Sequence, residues 1–178
     1  MKLSQFIACF LYWVAIADAQ TTSSPSNFPD VAWGVTPEDV KRVMATKPDS
    51  RPDPSEMSVG RLAYAGGTIA GQVVHVFAFE FAGGKFYRGA AGLKPVPDTD
   101  KQYREVRAQL VAKYGPPTTS RHQGKLAQSF WRFPPTAFNK EVITITCEML
   151  SGPPAPMVRI IYLNETVKQT AGTTGNKL

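Results

Sequence analysis

The sequence has little of what chemistry is usually built from. Two histidines and two cysteines are spread over 178 residues. Cys9 lies in a segment expected to be cleaved off. The two histidines and Cys147 that remain cannot make a transition-metal cluster of four side chains unless carboxylates join them, and no ligand spacing suggests that they do. No G-x-S-x-G stretch surrounds Ser129 or Ser151, so there is no hydrolase elbow. Gly83-Gly84 and the Gly89, Gly92 pair do not lead into a helix at the spacing of a phosphate loop. Asp98 and Asp100 form a solitary D-x-D without the further oxygens that calcium takes. No nucleic-acid-binding motif is present. The sequence therefore points to no cofactor and no metal.

Long hydrophobic runs are also absent: no segment reaches the roughly 20 apolar residues of a membrane-spanning helix. The one apolar run, 6–16, is interrupted by Tyr12, preceded by Lys2 and followed by Ala17-Asp18-Ala19. That order is a secretory signal peptide, 1–19, with cleavage expected after Ala19 and export to the periplasm or beyond the cell. Cys9 precedes completion of the apolar run and is not read as a lipidation site. With Cys9 removed, Cys147 is the one cysteine left, so no internal disulfide can form and the core must hold the fold. A hydrophobic fraction of 43% is ordinary for a globular chain. Loss of Lys2 and Asp18 leaves the net charge at +6, a bias toward anionic partners.

What is present reads as one α+β domain. Residues 20–30 and 168–178 are polar and Thr-rich, and are expected to be a flexible leader and a disordered tail around a folded unit over 31–167. Thr36-Pro37-Glu38-Asp39 sets an N-cap, a first-turn proline and two acids before Val40, Val43 and Met44 at helical spacing; Pro48 ends that helix. Strands are expected at 59–65 and 69–81. In the second, His75, Phe77 and Phe79 alternate with Val74, Val76 and Ala78, so both faces are mainly apolar and the strand is placed centrally. Gly83-Gly84 turns the chain into a strand over 85–93. A second helix over 100–114 carries Tyr103, Val106, Leu110, Val111 and Tyr114 on one stripe and stops at Gly115-Pro116-Pro117. Strands over 126–133, 141–150 and 157–163 follow, the middle one alternating Ile143, Ile145, Cys147 and Met149 with Thr144, Thr146 and Glu148. The expected architecture is two helices packed on one face of a mostly antiparallel sheet. Its repeated order, helix then three strands, hints at an αβββ-αβββ duplication.

The string Trp33 to Val40, the aromatic strand turning at Gly83-Gly84-Lys85-Phe86, and Tyr114-Gly115-Pro116 after an amphipathic helix resemble small exported bacterial α+β domains. The architecture is similar to that of the small lipoprotein of the outer-membrane barrel-assembly machine and of β-lactamase-inhibitor proteins. The resemblance implies a bacterial envelope protein that acts by binding other proteins. The chain departs from the first in having no credible lipidation cysteine and from the second in having no disulfides, and no functional residue carries over.

Each reactive side chain has a structural role to set beside a chemical one. Cys147 lies on the apolar side of its strand, where a thiol is packed and not activated. His75 sits among aromatics and is expected to be a hydrogen-bonded core group. His122, between Arg121 and Gln123, reads as a solvated loop residue. Asp98 and Asp100 read as helix-capping acids. Asn164-Glu165-Thr166 fits a glycosylation sequon, which matters only in a eukaryotic secretory route. Lys101, Arg104, Arg107 and Lys113 load the second helix with positive charge relieved by Glu105, and are the candidate partner-binding residues for an acidic envelope protein or an anionic lipid or glycan. The expected function is a non-enzymatic binding or assembly module of the envelope. The rivals are an enzyme whose site forms only in three dimensions and an inhibitor of another enzyme.

Overall fold

The computed structural model describes residues 24–123, 126–137, 139–151 and 156–174. The expected signal peptide lies outside them. Helix α1, Pro37–Ala45, begins as its sequence dictates. The Thr36 hydroxyl oxygen accepts the Asp39 N–H at 3.3 Å, and the Asp39 carboxylate accepts the Thr36 N–H at 3.2 Å. Two donors that the first turn cannot satisfy are thereby paired. The Thr36 hydroxyl, followed by the Thr36 backbone N–H, also holds the Asp39 carboxyl below the usual carboxylate range. Helix α2, Thr99–Tyr114, is capped by Asp98, whose side chain accepts the Lys101 N–H at 2.8 Å, and is closed by Gly115 at φ 75°.

Nine strands form one sheet: β1 Arg51–Pro52, β2 Arg61–Ala65, β3 Thr68–Ile69, β4 Gln72–Ala82, β5 Lys85–Leu93, β6 Thr119–Gln123, β7 Leu126–Phe133, β8 Ile143–Leu150 and β9 Met157–Asn164. Their order is β1-β2-β4-β5-β9-β8-β7-β6, antiparallel throughout, with β3 hairpinned onto β4. The first helix is thus followed by five strands, of which β1, β2, β4 and β5 lie side by side in the sheet, and the second by the four strands β6 to β9; the two groups join along β5 and β9. Val40 and Met44 of α1 and Tyr103, Val106, Leu110 and Tyr114 of α2 bury into one core with Phe77, Phe79, Trp131, Ile145, Ile160 and Tyr162. The burial of Phe77, Tyr103, Val106 and Leu110 is what the helical stripes require.

A third helix, α3 Glu165–Thr174, contacts β4, β5 and β8. It lies on the other side of the sheet. Glu165 meets Arg132 at 3.4 Å, the Lys168 ammonium stands 5.8 Å from the Tyr87 ring centroid, and Ala171 abuts Gly83. Among the described residues the two-helix expectation is therefore corrected to three α-helices, and residues 168–174 of the expected tail are helical. Asn164 starts this helix: its Oδ1 accepts the Val167 N–H at 3.0 Å, satisfying a first-turn donor that the tail composition concealed. The leader is corrected as well. Phe28 is buried against Phe77, Phe79 and Tyr162, and the Trp33 indole donates to the Pro25 carbonyl at 3.0 Å.

The strand expected over 69–81 is two strands. Ala70 and Gly71 take φ of 47° and 68°, and the chain reverses there to pair Ile69 with Gln72. The expected alternation also breaks. Val74 pairs with Leu93 and Val76 with Gly92, so His75 is the extra residue of a β-bulge. The bulge shifts the parity, so that Val74, Phe77 and Phe79 face the core while His75 is exposed. The core-histidine reading of His75 fails for that reason.

Candidate functional site

Register across the sheet aligns the side chains of the face opposite α1 and α2 in three lanes. The first runs Arg61, Glu80, Arg88, Leu163, Thr144, Arg132. The second runs Ala63, Ala78, Ala90, Ile161, Thr146, Phe130. The third runs Ala65, Val76, Gly92, Arg159, Glu148, Gln128, Arg121. Charged lanes thus bracket an apolar one. In the first, Arg88 pairs with Glu80, which also accepts from the Tyr87 hydroxyl at 3.3 Å. Burial is the main reason, with Glu80 next, that the Tyr87 phenol lies above its usual range. In the third, the Arg159 guanidinium holds Glu148 at 2.6 Å and the Gln128 amide donates to Glu148 at 3.3 Å.

The ion pairs lie across neighbouring strands, where opposite charges stabilise the pairing modestly and fix its register. Ala63 and Ala78 in the middle lane are buried; Ala90, Ile161, Thr146 and Phe130 are half-buried. Helix α3 reaches the first lane through Glu165 and Arg132. The result is a strip with an apolar centre and charged borders, next to α3.

Hollows on the surface are modest. One of about 220 Å³ sits at the β6–β8 corner, lined by Arg121, Gln123, Leu126, Gln128, Glu148 and Leu150 among others. Three more measure about 210, 300 and 360 Å³. None of these four is lined by His75, Glu80, His122 or Cys147.

The four candidate partner-binding residues do not form one basic surface. Lys101 approaches Glu105 at 4.0 Å, and Arg104 is ion-paired with Asp100. The expected relief by Glu105 alone is corrected, because Asp100 lies one helical turn from Arg104. Lys113 stands 5.0 Å from the Tyr114 ring centroid. Arg107 is half-buried and donates from Nε to the Ser129 hydroxyl at 3.0 Å.

Cys147 is fully buried, and desolvation pushes its thiol up to about 12. At neutral pH it is neither a thiolate nor accessible. His122 is exposed, on the edge strand β6 and not in a loop. Asp98 caps α2, as expected, while Asp100 holds Arg104. Asn164 of the sequon is buried and engaged by Val167, which leaves no room for a glycan. Among the described residues no three His, Cys, Asp or Glu side chains gather in a metal-binding group. No described helix is long and apolar enough to cross a membrane.

The lanes were not anticipated from sequence. Two signals were there to be read: Gly83-Gly84 makes Glu80 and Arg88 cross-strand neighbours, and the β8–β9 connection does the same for Glu148 and Arg159. Comparison of the chain with protein families, with characterised proteins and with solved structures finds no match to any of them.

Proposed function

We propose that this chain is an exported binding or assembly module of the bacterial envelope, and that it docks a partner protein on the sheet face opposite α1 and α2. The observation carrying this reading is the half-buried middle lane, Ala90, Ile161, Thr146 and Phe130, between the bracketing charges. An apolar centre with a polar, ion-paired rim is the arrangement of protein–protein interfaces. Apart from Arg121, the rim arginines are already ion-paired, so a partner meets them with little ordering cost. Export rests on the 1–19 signal, and the envelope on the resemblance to small exported α+β domains that bind other proteins. The order of a helix followed by antiparallel strands, occurring twice, favours origin by duplication, with five strands in the first unit and four in the second in place of three. The chemistry that an enzyme would use is poorly placed: the one thiol is buried and both histidines stand apart from the four hollows.

The test is capture from envelope extract by residues 20–178, compared with an Ile161→Lys, Phe130→Lys double variant whose circular dichroism confirms folding. The expected result is a saturable protein partner held by the parent chain and lost by the variant. Equal capture by both, or turnover of any substrate that Cys147→Ala leaves intact and His75→Ala abolishes, would overturn it.

A further inference from the structure

The two ends of the sheet differ. At one end β1 is two residues long and includes Pro52, which has no N–H to offer a new strand. At the other, β6 is five residues long, all exposed, without proline, and has β7 as its one neighbour among the described residues. A strand with one neighbour presents a row of backbone donors and acceptors on its outer side.

The stretch of chain that carries that edge is of one sign. Residues 106–140 contain no Asp or Glu and six Lys or Arg: Arg107, Lys113, Arg121, Lys125, Arg132 and Lys140. Of these, Arg132 has a carboxylate partner, Glu165; Arg107, Lys113, Arg121 and Lys140 have none among the described residues. The cations flank both faces of β6. Arg121 is in register with Gln128 and Glu148 on the laned face. Ser120 and His122 face the α2 side, where the Ser120 and Ser129 hydroxyls are 3.0 Å apart and Arg107 is tied to Ser129. Alternate residues of a strand added to β6 would therefore lie beside Arg121 on the laned face and beside Ser120 and His122 on the other, with Arg107 one strand further in.

We propose that β6 receives an extended acidic segment of a partner protein as an additional antiparallel strand. Main-chain hydrogen bonds supply the register, and acidic side chains opposite Arg121 and near Arg107 and His122 supply selectivity. The same charge disfavours a second copy of this chain. Two β6 strands paired antiparallel about residue 121 would place Arg121 directly against Arg121, and like charges in that position destabilise the pair. A basic edge thus rejects self-association and admits an acidic strand. The proposal rests on the binding reading above and adds the chemistry of the partner.

The experiment uses residues 20–178 labelled with nitrogen-15 and two blocked peptides, one alternating Glu and Thr, the other Lys and Thr. The Glu peptide is expected to shift the amide signals of 119–123 and slow their hydrogen exchange, with affinity falling as salt rises. Arg121→Glu, an exposed side chain, is expected to weaken the Glu peptide about tenfold, the order of one reversed close charge pair. Equal binding of the Lys peptide, protection in the free chain of those 119–123 amides that do not bond to β7, or dimerisation through β6 would each overturn the proposal. Shifts confined to Ile161 and Phe130 would also overturn it while leaving the docking face intact.

Discussion

Arg107 ties α2 to the sheet by donating from Nε to the hydroxyl of Ser129 at 3.0 Å. Ser129 is fully buried, and its oxygen also lies 2.9 Å from the Tyr103 hydroxyl and 3.0 Å from that of Ser120. Arg104, one turn earlier on the helix that the sequence loads with positive charge, is exposed and is held by Asp100. The two arginines should therefore respond differently to charge reversal. Arg107→Glu removes a donor from a buried network and is expected to cost about 1–3 kcal/mol. Arg104→Glu loses an exposed pair and should cost no more than about 1 kcal/mol. Urea denaturation of the two variants measures the difference; equal losses would mean that the Ser129 tie carries no weight.

How far the sequence is legible follows the same distinction. Where a pattern is local and one-sided it reads correctly. The Thr36 cap, the Gly83-Gly84 turn, the α2 stripe and the buried side of β8, Cys147 included, all appear as expected. Three features were hidden for physical reasons. The bulge at His75 breaks a run that is apolar on both faces, so no polar residue betrays the change of parity. Strand β6, Thr-Ser-Arg-His-Gln, is exposed along its length and has no apolar period to detect. Helix α3 is Thr-rich and starts from a buried asparagine, so its signal looks like a tail. The lanes depend on register between strands far apart in sequence, which no single window contains.

Phe28 occupies the space above Gly89. A β-carbon on residue 89 would lie 2.0 Å from Cδ1 of the ring, far inside contact distance. The ring is itself packed on Phe79 and Tyr162, at centroid separations of 5.8 and 5.2 Å, and cannot easily withdraw. Gly89→Ala is therefore expected to destabilise by about 1–3 kcal/mol, the range for overpacking a filled core. Phe28→Ala alone should cost about 3–5 kcal/mol. In the double variant the methyl meets no ring, so the combined loss should be smaller than the sum. A double-mutant cycle by denaturation reads the coupling, and strict additivity would show that the contact is not the cause.

Ala70 takes φ of 47° in the two-residue turn between β3 and β4, a region that L side chains adopt reluctantly. Gly71 beside it, at φ 68°, carries no such penalty. Hairpins of this kind favour Asn-Gly. Ala70→Asn is expected to stabilise the chain by roughly 0.5–1 kcal/mol, the scale of a relieved left-handed residue. Thermal denaturation should show a small rise in Tm. A fall would mean that the turn gains nothing from asparagine there.

Burial of Cys147 makes stability depend on alkaline pH in a predictable direction. In the folded chain desolvation raises the thiol from 9.0 to about 12. A raised folded value means that the native state keeps the proton after the unfolded chain has released it. The contribution is fully present below the unfolded value and is lost as pH rises from about 9 toward about 12. Within that window each such group contributes a slope of up to about 1.4 kcal/mol per pH unit. The phenols of Tyr64, Tyr103 and Tyr162 are also raised, chiefly by burial, and add slope of the same sign above their ordinary value of 10.0. Stability measured by urea denaturation should therefore be level near neutrality and fall above pH 9. Cys147→Ala should start from a lower stability, because the buried sulfur leaves a small void, but should decline less steeply between pH 9 and the onset of tyrosine ionisation. The parent thiol should also resist alkylation at pH 8 until denaturant is added, since the buried, protonated form is a poor nucleophile. Parallel curves for parent and variant, or rapid labelling without denaturant, would show that the thiol is reached by solvent in the native chain.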